Sequence, residues 1–74
     1  MANKPQPIPA SISILRRPEV EARTGLSRST IYLKIAQGSF PKSVSLGPRA
    51  VGWVVSEIDG WLEHQVAASR AASV

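Results

Sequence analysis

The sequence has no cysteine, a single histidine (His64) and a single aspartate (Asp59). No disulfide framework can form, and the usual zinc patterns, which need several Cys and His at fixed spacing, are excluded. A cysteine-free chain suits a reducing cytoplasm, the expected compartment. His64 lies beside Glu63 near the C-terminus, so the many serines have no base and orienting acid arranged around them for nucleophilic catalysis. There is no Gly-rich loop of the P-loop or dinucleotide type. No enzymatic activity, metal or cofactor is therefore expected. No apolar run approaches about 18 residues, so no membrane-spanning helix and no membrane partner are expected. The opening MANKPQPIPA is Pro-rich and lacks an apolar core segment, which argues against a signal peptide.

What is present fits one small domain: 74 residues, 43% of them apolar. Domains this short bury only about 60% of the surface of the unfolded chain, so each core residue counts. The net charge is +4 and unevenly spread. Residues 1 to 56 carry eight Lys or Arg against two Glu, whereas residues 57 to 74 carry one Arg against Glu57, Asp59 and Glu63. A basic body followed by an acidic segment suits a polyanionic partner; the competing reading is a charge that only keeps the chain soluble.

Pro5, Pro7 and Pro9 forbid a helix over residues 1–10, which read as a flexible or polyproline-like arm. SISIL, Ser11 to Leu15, alternates as a short strand that pairs with a later hairpin. Pro18 at a helix start, with Glu19 and Glu21 in the first turns and Gly25 as the stop, predicts a helix over 18–24. Ser27 as N-cap and Gly38 as stop predict a second helix over 28–37, with Ile31 and Ile35 towards the core and Leu26 plugging the gap between the helices. Two alternating segments around Gly47-Pro48-Arg49 predict a hairpin over about 43–55, with Val51, Trp53 and Val55 sharing a face. Ser56 as cap, then Ile58, Trp61, Leu62 and Gln65 or Val66 at helical spacing, predict a third helix over 57–68. Residues 11–67 then form the domain and 68–74 a frayed tail. Helices joined by a Gly-containing three-residue turn make a helix-turn-helix, and a hairpin following the second helix is the wing of a winged helix. The fold class is mainly α with a small β-hairpin.

In a helix-turn-helix the start of the second helix enters the DNA major groove. This places Ser27, Arg28, Ser29, Thr30, Tyr32, Leu33 and Lys34 at the interface, with hydroxyls and arginine suited to phosphates and base edges. Tyr32 can pack its ring on the domain while its hydroxyl reaches a phosphate. Leu33, on the outward face, can touch a thymine methyl group or a neighbouring protomer. LGPRAVGW, residues 46–53, lifts the lone Arg49 on a tip stiffened by Pro48. A cation there suits phosphate or the narrow, negative minor groove, unless it only guards an exposed hairpin edge. Lys42, Arg16 and Arg17 are flanking phosphate candidates. Trp53 and Trp61 fall on apolar faces and are expected as core anchors rather than base-stacking platforms.

The segment TGLSRSTIYLKIAQGSFPKSVSLGPRAVGWVVSEIDGWLE resembles the AlpA family of small phage and mobile-element regulators, the resemblance running from about Leu15 to Glu63. Its most specific pieces are STIY (Ser29 to Tyr32), GSFP (Gly38 to Pro41), and RAVGW followed by SEIDGWLE. The resemblance implies a MerR-like, excisionase-like winged helix that binds double-stranded DNA in a bacterial cytoplasm, associated with the nucleoid. It implies a transcription regulator of integrase or excision genes, or else an excisionase (recombination directionality factor) that bends or coats attachment-site DNA. Self-association on DNA is expected with either role, and RNA polymerase or integrase is the protein partner each would bring. A protein-interaction module that uses the fold without DNA is the reading from another class. One position departs from the family pattern: Leu33 stands where a basic or polar residue often follows the Tyr of STIY.

Overall fold

The structure is a computed structural model and describes residues 12–72. The elements are β1 (Ile14–Leu15), α1 (Arg17–Thr24), α2 (Arg28–Ala36), β2 (Val44–Gly47), β3 (Ala50–Val54) and α3 (Val55–Ala72). The strands form one antiparallel sheet in the order β1-β3-β2. Ile14 lies opposite Val54 and Leu15 opposite Trp53. Three helices with a small antiparallel sheet make the mainly α, winged helix-turn-helix arrangement that the sequence predicts. The Pro-rich arm of residues 1–10 lies outside the described residues.

Local chemistry sets most of the boundaries. The N–H of Arg16 donates to Glu19 Oε1 at 2.9 Å, which fixes the entry to α1. The helix begins at Arg17, one residue before Pro18, whose missing N–H would have had no partner within the first turn. Gly25 closes α1 in the left-handed conformation, φ 73°, with its N–H on the Glu21 carbonyl at 2.8 Å. Ser27 then caps α2 by accepting from the Thr30 N–H at 3.2 Å. At the far end Gly38, φ 75°, turns the chain out of α2.

Five buried side chains, each from a different part of the chain, make the core. Val20 comes from α1, Ile31 from α2, Phe40 from the α2–β2 linker, Trp53 from β3 and Ile58 from α3. Leu15, Leu26, Ile35, Trp61 and Leu62 pack around them. Ile31, Ile35 and Leu26 thus sit as the helical spacing and turn predict. Both tryptophans are anchors: Trp53 is fully buried, and the ring of Trp61 meets Phe40 edge-on at 4.8 Å.

Three expectations are corrected. Ser56 does not cap α3, which starts at Val55 directly off β3. The reason is long-range: the Val55 N–H donates to the Ser13 carbonyl at 2.8 Å, so Val55 ends the strand ladder and opens the helix at once, and Ser56 already lies inside the first turn. α3 also continues past residue 68 to Ala72, through an alanine-rich stretch of high helix propensity. Finally, Val51 and Val55 do not share Trp53's burial. Val55 is helical, and Val51 is exposed because its part of β3 projects towards the wing tip, past the helices that cover Trp53. The opposite face of the sheet carries Ile14 and Leu46 against Gly52, where any Cβ would collide with Ile14 Cγ2 and come within 3.1 Å of Leu46 Cδ1.

Candidate nucleic-acid interface

The start of α2 is a cluster of hydroxyls beside one cation. Ser27 Oγ accepts from the Thr30 N–H and lies 2.9 Å from Thr30 Oγ1 and 3.4 Å from Ser29 Oγ. Ser27 is therefore structural first: it holds the first turn, and with it the positions of Arg28, Ser29 and Thr30. Arg28 is exposed and its guanidinium stands 6.0 Å from the Tyr32 ring centroid. Tyr32 in turn sits tilted 6.4 Å from Trp53, so its ring links the exposed start of α2 to the core. Leu33 is 57% exposed, and nothing in the domain explains an apolar side chain held out there. Lys34 is half-buried, in the last turn of the helix.

The wing is fastened to α2 through residues 38–41. The indole N–H of Trp53 donates to the Pro41 carbonyl at 3.0 Å, and that of Trp61 to the Ser39 carbonyl at 2.7 Å. Both carbonyls lie in the GSFP segment, so the two anchors also set where the wing leaves the core. Lys42 follows, exposed. β2 and β3 then meet at a two-residue tip, Pro48–Arg49, between the paired Gly47 and Ala50. A register shift between Ser45 and Gly47 bends the strand there. Arg49 takes φ 60°, the only positive φ outside glycine among the described residues. Such a conformation costs a non-glycine residue about 1 kcal/mol or more. A positive φ after Pro marks a type II-like tip, which usually carries Gly or Asn where this chain has arginine.

The remaining cations divide sharply. Arg17 Nε lies 3.0 Å from Glu21 Oε2, and Arg23 is paired with Asp59 across α1 and α3. The Nε of Arg16 donates to the Val51 carbonyl at 2.9 Å. Arg28, Lys34, Lys42 and Arg49 have no carboxylate within ion-pair distance among the described residues. Of these cations, the ones without a carboxylate partner are thus Arg16, held on a carbonyl, and those of α2, the linker and the wing tip. Arg17, a flanking candidate in the sequence, is engaged within its own helix. The Arg23–Asp59 pair and the Arg16–Val51 bond have no local sequence signal, since their partners are 36 and 35 residues apart.

Residues 13–66 match the family described as prophage CP4-57 regulatory protein (AlpA). The chain belongs to the AlpA family. Two curated proteins are similar to the chain. The "DNA-binding transcriptional activator AlpA" of Escherichia coli (strain K12) is 40% identical over 62 residues, covering 76% of this chain and 89% of that protein. The "Uncharacterized protein ORF88" of Enterobacteria phage P4 is 48% identical over 56 residues, and this chain spans 64% of its length. The AlpA match takes in the helix-turn-helix, the wing and most of α3, so every site element described above lies within the family's shared region. No helix among the described residues is long and apolar enough to cross a membrane.

Proposed function

We propose that this AlpA-family chain is a sequence-specific double-stranded DNA-binding regulator of a phage or mobile element, controlling transcription of integrase or excision genes. The observation that supports it most is the division of the cations: those of α2, the linker and the wing tip lack a carboxylate partner, while Arg17 and Arg23 are neutralised inside the fold. The start of α2 enters the major groove, with Arg28, Ser29, Thr30 and Leu33 facing base edges. Ser27, Tyr32, Lys34 and Lys42 take phosphates, and Arg49 reaches the backbone or the adjacent minor groove from the wing. The positive φ of Arg49 supports its place in the site, because strain retained at one exposed residue needs a use.

A module of this size buries on the order of 600 to 1,000 Å² on DNA, so useful affinity calls for several copies side by side. The exposed Glu57 and Glu63 on α3 offer each copy an acidic surface for the basic side of the next. Clustered copies of this kind also suit the second reading, an excisionase that coats or bends attachment-site DNA.

The test is binding to DNA tiles covering the regions upstream of neighbouring genes and flanking any attachment site, over a range of salt. With about four cations neutralising phosphates, log Kobs is expected to fall against log salt with a slope of roughly −3 to −4. Sites in a promoter identify the regulator; clustered sites beside an attachment site identify the excisionase. Weak, equal binding to every tile overturns both and leaves a protein partner as the explanation.

A further inference from the structure

Arg16 stands at the end of the shortest strand, and its side chain does what the backbone there cannot. Trp53 of β3 faces Leu15 of β1, and Val55, just past β3, bonds Ser13, just before β1. In an antiparallel ladder the hydrogen-bonding groups of alternate residues point the same way, so those of Val51 also point towards β1. The next rung would need the main chain at residue 17. Arg17 is already the first residue of α1, so the chain has left the sheet. The carbonyl of Val51 would be an unpaired edge group at the root of the wing. Arg16 Nε–H fills that place at 2.9 Å. The same residue caps α1, with its N–H on Glu19 Oε1 and its carbonyl accepting from Glu19 and Val20 at 3.0 Å. One residue thus ties the first helix of the helix-turn-helix to the inner strand of the wing, two positions from Arg49.

We propose that Arg16 is a positioning residue: its bond to the Val51 carbonyl holds the wing at a fixed angle to the helix pair, so that the wing tip is presented in one place. The consequence for DNA rests on the function proposed above; the clamp itself is a property of the free protein. It separates Arg16 from Arg28, Lys42 and Arg49, whose side chains act by direct contact. Without the clamp, no hydrogen bond among the described residues ties β3 to α1 beyond the Leu15–Trp53 pair, and the wing tip samples orientations that DNA binding must then restrict.

Two variants isolate the clamp from the charge. In Arg16→Gln the amide nitrogen falls at the chain position of Nε, so the donor is retained and the charge is lost. Arg16→Met keeps the length and loses both. In the free protein, amide exchange and backbone order parameters at residues 45–51 are expected to show a loosened wing in Arg16→Met and a wild-type wing in Arg16→Gln. On a DNA site, Arg16→Met is expected to bind roughly three- to tenfold more weakly, as for the loss of one hydrogen bond. Arg16→Gln is expected to recover most of that, and Arg16→Met combined with Arg49→Ala to lose less than the product of the single losses. A wing as ordered in Arg16→Met as in the wild type overturns the proposal, as does equal loss of affinity in the Gln and Met variants, which makes Arg16 a direct phosphate contact. If the free wing loosens and Gln rescues it while no variant changes DNA binding, the clamp stands and the DNA reading is the one that fails.

Discussion

Trp53→Ala is expected to abolish or nearly abolish the folded state. Trp53 is the largest fully buried side chain, and it touches the fold twice: by its ring in the centre of the core and by its indole N–H on the Pro41 carbonyl. Truncating a buried tryptophan costs about 3–5 kcal/mol. A domain of this size has a total stability near the low end of roughly 5–15 kcal/mol. The melting temperature is expected to drop by roughly 15–30 °C, or the cooperative transition to disappear. Trp53→Phe keeps an aromatic core but strands the Pro41 carbonyl, at a cost of about 1–3 kcal/mol. Thermal melts followed by circular dichroism check both. A Trp53→Ala protein that melts like the wild type but no longer binds nucleic acid contradicts this and restores the base-stacking role that burial argues against.

Arg49 gives the opposite pattern, with a large effect on binding and little on folding. Arg49→Ala and Arg49→Gly both remove the tip cation, and each is expected to weaken binding to the specific site by roughly 10- to 100-fold, from about 1–3 kcal/mol for a groove contact. Their stabilities should differ. Alanine keeps a Cβ in the left-handed conformation, so the strain at φ 60° remains. Glycine releases it, offset by the greater freedom glycine gives the unfolded chain, for a net gain of about 0–1 kcal/mol. The expected result is an Arg49→Gly protein as stable as the wild type, or slightly more so, that binds DNA poorly. Measuring melting and affinity on the same samples decides it. An Arg49→Gly variant that melts lower yet binds normally makes Arg49 a solvated edge charge.

The parts of this fold that were legible in the sequence are those set within a few residues. Gly25, Ser27 and Gly38 end and start helices by bonds to neighbours three or four positions away, so reading them needs no tertiary knowledge. The spacing of Ile31, Ile35, Ile58, Trp61 and Leu62 shows which helical faces turn inward, and the core confirms it. The start of α3 was not legible at Ser56, because the group that satisfies Val55 is Ser13, far back in the chain. Val51 looked inward by alternation, but alternation fixes only a face and not how far the helices extend over it. At the candidate interface, the sequence showed Arg49 as a lone charge on a stiff tip. It could not show which other arginines were already engaged, because Arg23 finds Asp59 and Arg16 finds Val51 only once the sheet and helices have packed.

The most direct test of the central claim is groove-specific chemical footprinting of the complex on its specific site. Dimethyl sulfate methylates guanine N7 in the major groove and adenine N3 in the minor groove, so a single experiment reports both. The expected result is protection of guanine N7 where α2 lies, flanked by protection of adenine N3 where the wing tip lies. In Arg49→Ala the flanking minor-groove protection should vanish and the major-groove protection remain. Protection confined to the minor groove, or a wing mutant that leaves the whole pattern unchanged, would contradict the assignment of α2 and Arg49 to the two grooves.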